Sequence, residues 1–90
     1  MKILTTPRFD RTIKKLHSQE KKSLDDAVRA LISNPQAGES KKGDLSGVYV
    51  YKYKHQQQLL LLAYSIDIKN ERIVLLGYGT HENFYRDLKR

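Results

Sequence analysis

The sequence predicts an α+β domain in which an antiparallel sheet of about four strands packs on an N-terminal helix hairpin, with a short C-terminal helix. Apolar residues recur at helical spacing in the first third of the chain, and three strand-like segments joined by short polar links follow residue 47. No repeat or linker divides the 90 residues. Because a chain of this length buries only about 60% of its unfolded surface, we expect one domain over residues 1–90 with a thin core.

The first third of the chain is predicted to hold a short strand at residues 2–5 and then two helices. Thr6 and Pro7 begin the first helix, because the hydroxyl caps free amide groups and proline lacks an N–H that this position leaves unbonded. A second helix is expected over residues 19–33, ended by an Asn-Pro pair, with His17 on the surface at the end of the first helix. The apolar stripes are Phe9, Ile13 and Leu16 in the first helix and Leu24, Ala27, Val28 and Leu31 in the second.

The remainder of the chain is predicted to be a loop, three strands and a closing helix. Residues 35–47 are rich in glycine and lack apolar periodicity, which is typical of a loop. The strands are expected at residues 48–54, 59–67 and 71–79. The last two are almost continuously apolar, so they should be central strands covered on both faces. The final segment HENFYRDLK reads as a short helix capped by Thr80.

The charge of the chain favours an anionic partner. Lys and Arg number 17 against 10 Asp and Glu, a formal net charge of +7, and the isoelectric point is near 9.7. Such a surplus suits nucleic acid, an anionic membrane or an acidic protein, although a merely soluble basic protein has the same composition. The absence of cysteine excludes disulfides, thiolate chemistry and cysteine-ligated zinc. Without a signal-peptide core or an apolar run long enough to span a bilayer, the protein is expected to be cytoplasmic, with no membrane contact.

Two histidines fall at strand ends where they can carry chemistry. His55 lies where the first long strand turns into HQQQ, and His81 lies where the last strand gives way to the final helix. If the middle strand pairs on both sides, these two ends can lie at the same edge of the sheet. Imidazole titrates near neutral pH, so such a pair suits RNA cleavage, which removes a proton from a 2′-hydroxyl and gives one to the leaving 5′-oxygen. The alternative for His81 is a structural role as a capping or hydrogen-bonded residue.

Lysines and tyrosines alternate along the first long strand. Lys52 and Lys54 interleave with Tyr49, Tyr51 and Tyr53. In one interpretation the lysines bind phosphate and the rings stack on splayed bases. In the other, the tyrosines lie in the core of a half-buried sheet and the lysines face water. The sequence alone leaves both open.

The order of elements resembles the RelE/ParE superfamily of toxins from bacterial type II toxin-antitoxin systems, over essentially the whole chain. The segment GTHENFY at residues 79–85 is similar to the GTH and following aromatic residue of the YafQ branch of ribosome-dependent mRNA endonucleases. The resemblance implies that His81 is a catalytic histidine, Tyr85 a catalytic-site aromatic residue and His55 a second histidine of that branch. In the RelE branch an arginine stands at the His81 position, and two lysines of that branch look like Lys52 and Lys54.

The middle strand departs from the family pattern. RelE enzymes have an arginine near its start and the YafQ branch an aspartate, whereas this chain has only leucines at residues 59–62. Ser65 stands where relatives commonly have arginine. The negative charge of the transition state would therefore have to be stabilised by Lys52, Lys54 or Arg86, and Lys42 of the loop is a further candidate for phosphate binding.

The resemblance implies a toxin that inhibits translation by cleaving mRNA in the ribosomal A site, an endoribonuclease that needs no metal or cofactor. The alternative from the same superfamily is a ParE-type toxin, which is not an enzyme and inhibits DNA gyrase by protein contact. Both kinds are held inactive by an acidic, partly disordered antitoxin in a hetero-oligomer, which agrees with the net charge of +7. A basic structural or RNA-binding protein without catalysis is the third interpretation.

Overall fold

The computed structural model describes residues 1–81 and Phe84, and it shows one mixed sheet with two helices packed on one face. The helices are α1 (Pro7–Ile13) and α2 (Ser18–Ser33). The strands are β1 (Lys2–Thr5), β2 (Glu39–Ser40), β3 (Tyr49–His55), β4 (Gln58–Asp67) and β5 (Arg72–Thr80). Single 3-10 turns at Pro35–Ala37 and Gly43–Leu45 interrupt the segment that was predicted to be a loop.

The strand order is β1-β5-β4-β3-β2, which confirms the α+β class and the central positions of β4 and β5. The sheet differs from the sequence prediction in two ways. It has five strands because the two-residue strand β2 pairs with the start of β3. It is also mixed, since β1 runs parallel to β5 while the other pairs are antiparallel.

Local sequence signals set the ends of the helices. The Thr6 hydroxyl accepts a hydrogen bond from the Phe9 amide at 3.2 Å, with Pro7 at the first helical position, as predicted. Helix α1 ends at Ile13, so His17 does not end this helix; it is the exposed N-cap residue of α2. Asn34 ends α2, and its side chain accepts a hydrogen bond from the next turn.

The main core lies between the helices and the sheet. Its fully buried members from the strands include Leu60, Leu62 and Tyr64, which pack with residues of both helices. The Tyr64 hydroxyl accepts a hydrogen bond from the Gly38 amide at 2.8 Å and donates one to the Pro35 carbonyl at 2.7 Å. This tyrosine therefore ties the chain after α2 to the middle of the sheet.

A second, smaller core lies on the opposite face of the sheet. It is formed by Val50, Leu61, Ala63 and Phe84, with Val48 and Leu76 at its border. The predicted C-terminal helix otherwise falls outside the described residues, where only His81 and Phe84 have an assigned, helical backbone. Within the described part of the chain, no helix combines the length and the apolar character that crossing a membrane requires.

Candidate functional site on the lysine face of the sheet

The two faces of the sheet carry different chemistry. Side chains of a strand alternate between faces, so Tyr51 and Tyr53 share one face and Lys52 and Lys54 the other. The tyrosines pack against the main core, on the side of the helices. We call this side the helix face, and the side that carries Lys52, Lys54, Leu61 and Gly79 the lysine face. Both lysines are exposed.

This arrangement bears on how the tyrosines can act. Tyr51 and Tyr53 stack on each other, with ring centroids 6.1 Å apart, and both are partly buried against the core. Tyr49 stacks in the same way on the buried Tyr64, at 5.5 Å. The rings therefore stabilise the sheet on the face opposite the lysines. This arrangement matches the interpretation in which the tyrosines lie in the core and the lysines face water.

The register brings the lysines and His81 to the same end of the sheet. Lys52 pairs with Leu61, which in turn pairs with Gly79, so these three residues form one row across β3, β4 and β5. Neighbouring strands are about 4.8 Å apart, which puts the Lys52 and Gly79 backbones roughly 10 Å from each other. Lys54 lies one step further along the same face, and the exposed His81 follows the end of β5.

His55 also lies at this end of the sheet, but on the other face. It is the last residue of β3 and pairs with Gln58 across the turn of Gln56 and Gln57, whose φ angles are 50° and 68°. Two positive φ angles are typical of a tight type I′ hairpin. Alternation from Tyr53 assigns His55 to the helix face, where it is partly buried. The structure thus brings the two histidines to one end of the sheet without putting them on one face.

The other predicted site residues are placed elsewhere or lie outside the described part of the chain. Lys42 is exposed and follows β2, which pairs with the first residues of β3. At about 3.3 Å per residue, the start of β3 is roughly 17 Å from Lys54, so the register does not join Lys42 to the other lysines. Tyr85 and Arg86 lie outside the described residues.

Sequence reasoning missed a series of hydrogen bonds between three side chains on the helix face, on the opposite side of the sheet from the site. The Tyr78 hydroxyl donates to a Glu20 carboxylate oxygen at 2.7 Å and accepts from the Tyr53 hydroxyl at 3.3 Å. Burial, followed by the hydrogen bond to Glu20, raises the pKa of Tyr78 far above its usual range. Burial also raises the pKa of Tyr53. These bonds fasten the first turn of α2 to β5 just before Gly79 and His81.

The sequence contains only a weak signal for this chain of bonds. Tyr78 interrupts an apolar strand with a polar tip, and a buried tyrosine hydroxyl usually has a partner. Glu20 is more than fifty residues away, and nothing in its own segment identifies it as that partner. Among the described residues, no group of three or more His, Asp or Glu side chains is arranged to hold a metal ion.

Comparison with known proteins identifies the family. Residues 3–89 match the model of the ParE-like toxins of type II bacterial toxin-antitoxin systems. The chain belongs to this family. This confirms the resemblance to the RelE/ParE superfamily at the level of the whole chain. A sequence comparison with curated proteins gives no match.

Solved structures of RelE toxins share the fold of this ParE-like toxin. The RelBE2 toxin-antitoxin complex of Mycobacterium tuberculosis matches with a TM-score of 0.76 and 20% identity, over 89% of this chain and 96% of that one. The intact Escherichia coli RelBE complex gives 0.71 and 16% identity, over 88% and 94%. The isolated E. coli RelE toxin gives 0.70 and 16% identity, over 88% and 82%. At these identities the likeness establishes the fold alone.

Proposed function

We propose that this ParE-like toxin inhibits translation by cleaving mRNA in the ribosomal A site. One observation carries the proposal: Lys52 and Lys54 lie on the lysine face, at the end of the sheet where the exposed His81 follows β5. Such a surface offers cations for a phosphate and an imidazole for proton transfer. The fold shared with RelE toxins and the sequence GTH at residues 79–81 support it.

In the proposed reaction the 2′-hydroxyl of the message attacks the adjacent phosphorus, and the bond to the 5′-oxygen breaks. The 2′-oxygen loses a proton to a base, and the leaving 5′-oxygen receives one from an acid. We assign one of these transfers to His81. Lys52 and Lys54 stabilise the negative charge that develops on the phosphate oxygens. Tyr85 is the candidate for holding the base, with Arg86 as a further cation. His55 is the candidate for the second transfer, and it would have to reach around the end of β3 from the helix face.

The partner proposed for this toxin is an acidic antitoxin. The structural relatives include two RelBE toxin-antitoxin complexes, and the chain carries a net charge of +7. Attraction between a basic surface and an acidic segment accelerates encounter and is screened by salt. Association should therefore slow markedly as ionic strength rises, and an association rate indifferent to salt would contradict this account of the charge.

The first prediction concerns His81, tested in a cell-free translation reaction in which cleavage of a translated message is mapped. His81→Ala should reduce cleavage by about 100- to 10,000-fold, because general acid-base help typically contributes that much. His17→Ala is the matched control, since His17 is also an exposed histidine but is the N-cap residue of α2. It should cleave like the wild type. Both variants should keep the wild-type unfolding midpoint.

Two further variants define the role of the position. His81→Arg puts a permanent cation there, so partial activity would assign charge stabilisation, and complete loss would assign proton transfer. Lys54→Ala should weaken cleavage by removing a charge from the phosphate site. If His81→Ala cleaves at the wild-type rate, the histidine is only the junction between β5 and the following helix, and the nuclease role assigned to it is wrong.

The second candidate function is inhibition of DNA gyrase. The observation that favours it is the leucine run at residues 59–62, because β4 supplies no charged side chain between the lysines of β3 and the end of β5. A supercoiling assay separates the two functions. A nuclease should truncate the message and leave supercoiling unchanged, whereas inhibited supercoiling with intact messages would replace the first proposal with the second.

A further inference from the structure

Gly79 lies inside strand β5 although no described part of the fold requires a glycine there. Its φ angle is outside the left-handed region, so an ordinary residue can adopt this backbone. A Cβ built on it meets no heavy atom within 4 Å among the described residues. The irregularity of the β4–β5 ladder lies at Ala63 and Tyr64, away from the Leu61–Gly79 pair.

A glycine in such a position weakens the strand. It gives up conformational entropy and offers no side chain to pack, and it often marks a place where a ligand approaches the backbone closely. Three of the other glycines have local reasons. Gly43 and Gly47 have φ angles of 68° and 88°, and a Cβ at Gly38 would overlap the Tyr64 ring and hydroxyl. Gly79 has no such reason in the described structure.

The surroundings of Gly79 identify the ligand that would use this space. Gly79 shares a row of the lysine face with Lys52, and Lys54 is one step further along that face. His81 follows two residues later. The backbone of Gly79 is partly exposed, with the backbone of Lys52 roughly 10 Å away, that of Lys54 roughly 12 Å away, and a histidine two residues along the chain. Cations grouped in this way can hold an RNA strand by its phosphates.

We propose that Gly79 is a positioning residue for RNA: the sugar-phosphate strand lies directly against its backbone, which sets the distance of the phosphate from Lys52, Lys54 and His81. The inference rests on the function proposed above. It also explains why β5 has a residue without a side chain at this position. A methyl group at this position would hold the RNA further from the sheet, and a branched side chain would hold it further still. A displacement of about 1 Å can cost a reaction 100-fold.

The test uses Gly79→Ala and Gly79→Val in the full chain, with Ser65→Val as the matched control. Ser65 lies on the same face of β4, four residues from Leu61, so its replacement adds bulk roughly 13 Å along the strand from the site. We expect both Gly79 variants to unfold at a temperature equal to or above that of the wild type, because alanine and valine suit a strand better than glycine. Ser65→Val should retain wild-type RNA binding and cleavage.

Two functional readouts accompany the unfolding midpoint. One is the affinity for a fluorescent single-stranded 2′-fluoro RNA, which lacks the attacking hydroxyl and cannot be cleaved. The other is cleavage of a translated message. We expect affinity to fall about tenfold in Gly79→Ala and further in Gly79→Val, and cleavage to fall about 10- to 100-fold. Higher stability with weaker binding is the signature of a residue kept small for its ligand.

The outcomes separate this inference from the proposed function. Gly79 variants that bind and cleave like the wild type would overturn the inference and leave the nuclease function standing. A wild type that binds the uncleavable RNA but never cleaves, with binding lost in Gly79→Val, would support the inference and remove the nuclease function. A wild type that neither binds nor cleaves would overturn both.

Discussion

Replacing Tyr78 by phenylalanine tests whether the hydrogen-bonded chain behind the lysine face stabilises the fold. The change removes one oxygen atom and leaves the ring in the core. It deletes the bond to Glu20 at 2.7 Å and the bond from Tyr53 at 3.3 Å. Tyr78 is only 8% exposed, so water has little access to replace the missing hydroxyl on the strand side.

The expected loss of unfolding free energy follows from the two hydrogen bonds that the substitution removes. A hydrogen bond to a charged group contributes about 1.5 to 3 kcal/mol, and we take the lower end because Glu20 is partly exposed and can be hydrated. The longer bond between the two hydroxyls adds about 0.5 kcal/mol. Together they give about 2 kcal/mol of unfolding free energy. For a domain of this size, that lowers the melting temperature by roughly 8 to 16 °C.

The measurement is equilibrium urea unfolding of Tyr78→Phe, Glu20→Ala and the double variant at pH 7. Their double-mutant cycle should give a coupling energy of about 1.5 kcal/mol between the two side chains. Tyr51→Phe is the control, since Tyr51 packs on the same face and stacks on Tyr53. A loss in Tyr78→Phe no larger than in Tyr51→Phe, with no coupling to Glu20, would refute the reasoning.

The raised pKa of Tyr78 adds a second measurement. Because the folded-state pKa lies above the usual value of 10.0, the stabilising effect is complete below that pH and declines as the pH rises above it, where the unfolded chain ionises. The stability difference between the wild type and Tyr78→Phe should therefore be constant up to about pH 10 and shrink at higher pH. A difference that grows above pH 10 would have the wrong sign.

The other stability predictions concern Tyr64 and Asp67. Tyr64→Phe strands the Gly38 amide and the Pro35 carbonyl, so it should lower the unfolding free energy by about 2 kcal/mol in urea, and Tyr49→Phe should change it far less. Hydrogen bonds from Asn70 and Arg72 lower the pKa of Asp67 to about 2. Asp67→Asn should consequently be less stable than the wild type at pH 7, and the difference should shrink as the pH falls from 4 to 2; a difference at pH 2 as large as that at pH 7 would contradict this assignment.

Most of the helices and strands could be predicted because their signals are local. The Thr6-Pro7 start of α1, the Asn34 end of α2 and the three long strands follow from caps, breakers and periodicity within each segment. The parallel pairing of β1 with β5 could not, since it joins residues about seventy positions apart. Strand β2 could not either, because two residues carry no periodicity.

For the candidate site too, local features could be predicted from the sequence and long-range ones could not. The alternation of Lys52 and Lys54 with tyrosines is a period-two pattern, so their common face follows from the sequence. That His55 falls on the opposite face also follows from alternation, once the strand is known to run through to that residue. The row that joins Lys52 to Gly79 depends on the register of three strands, and the bond between Tyr78 and Glu20 depends on how α2 crosses the sheet.

The lysine face carries both the second core and the proposed site, and the position of Gly79 on that face makes the proposal separable from folding. Variants on the helix face, such as Tyr78→Phe or Tyr64→Phe, remove bonds that hold the elements together, so they should lower stability first and activity only through it. Variants on the lysine face around Gly79 touch no described core contact, so they should change RNA binding while stability holds or rises. A Gly79 variant that loses stability along with binding would show that Gly79 itself is needed by the scaffold, and the glycine at this position would then need another explanation.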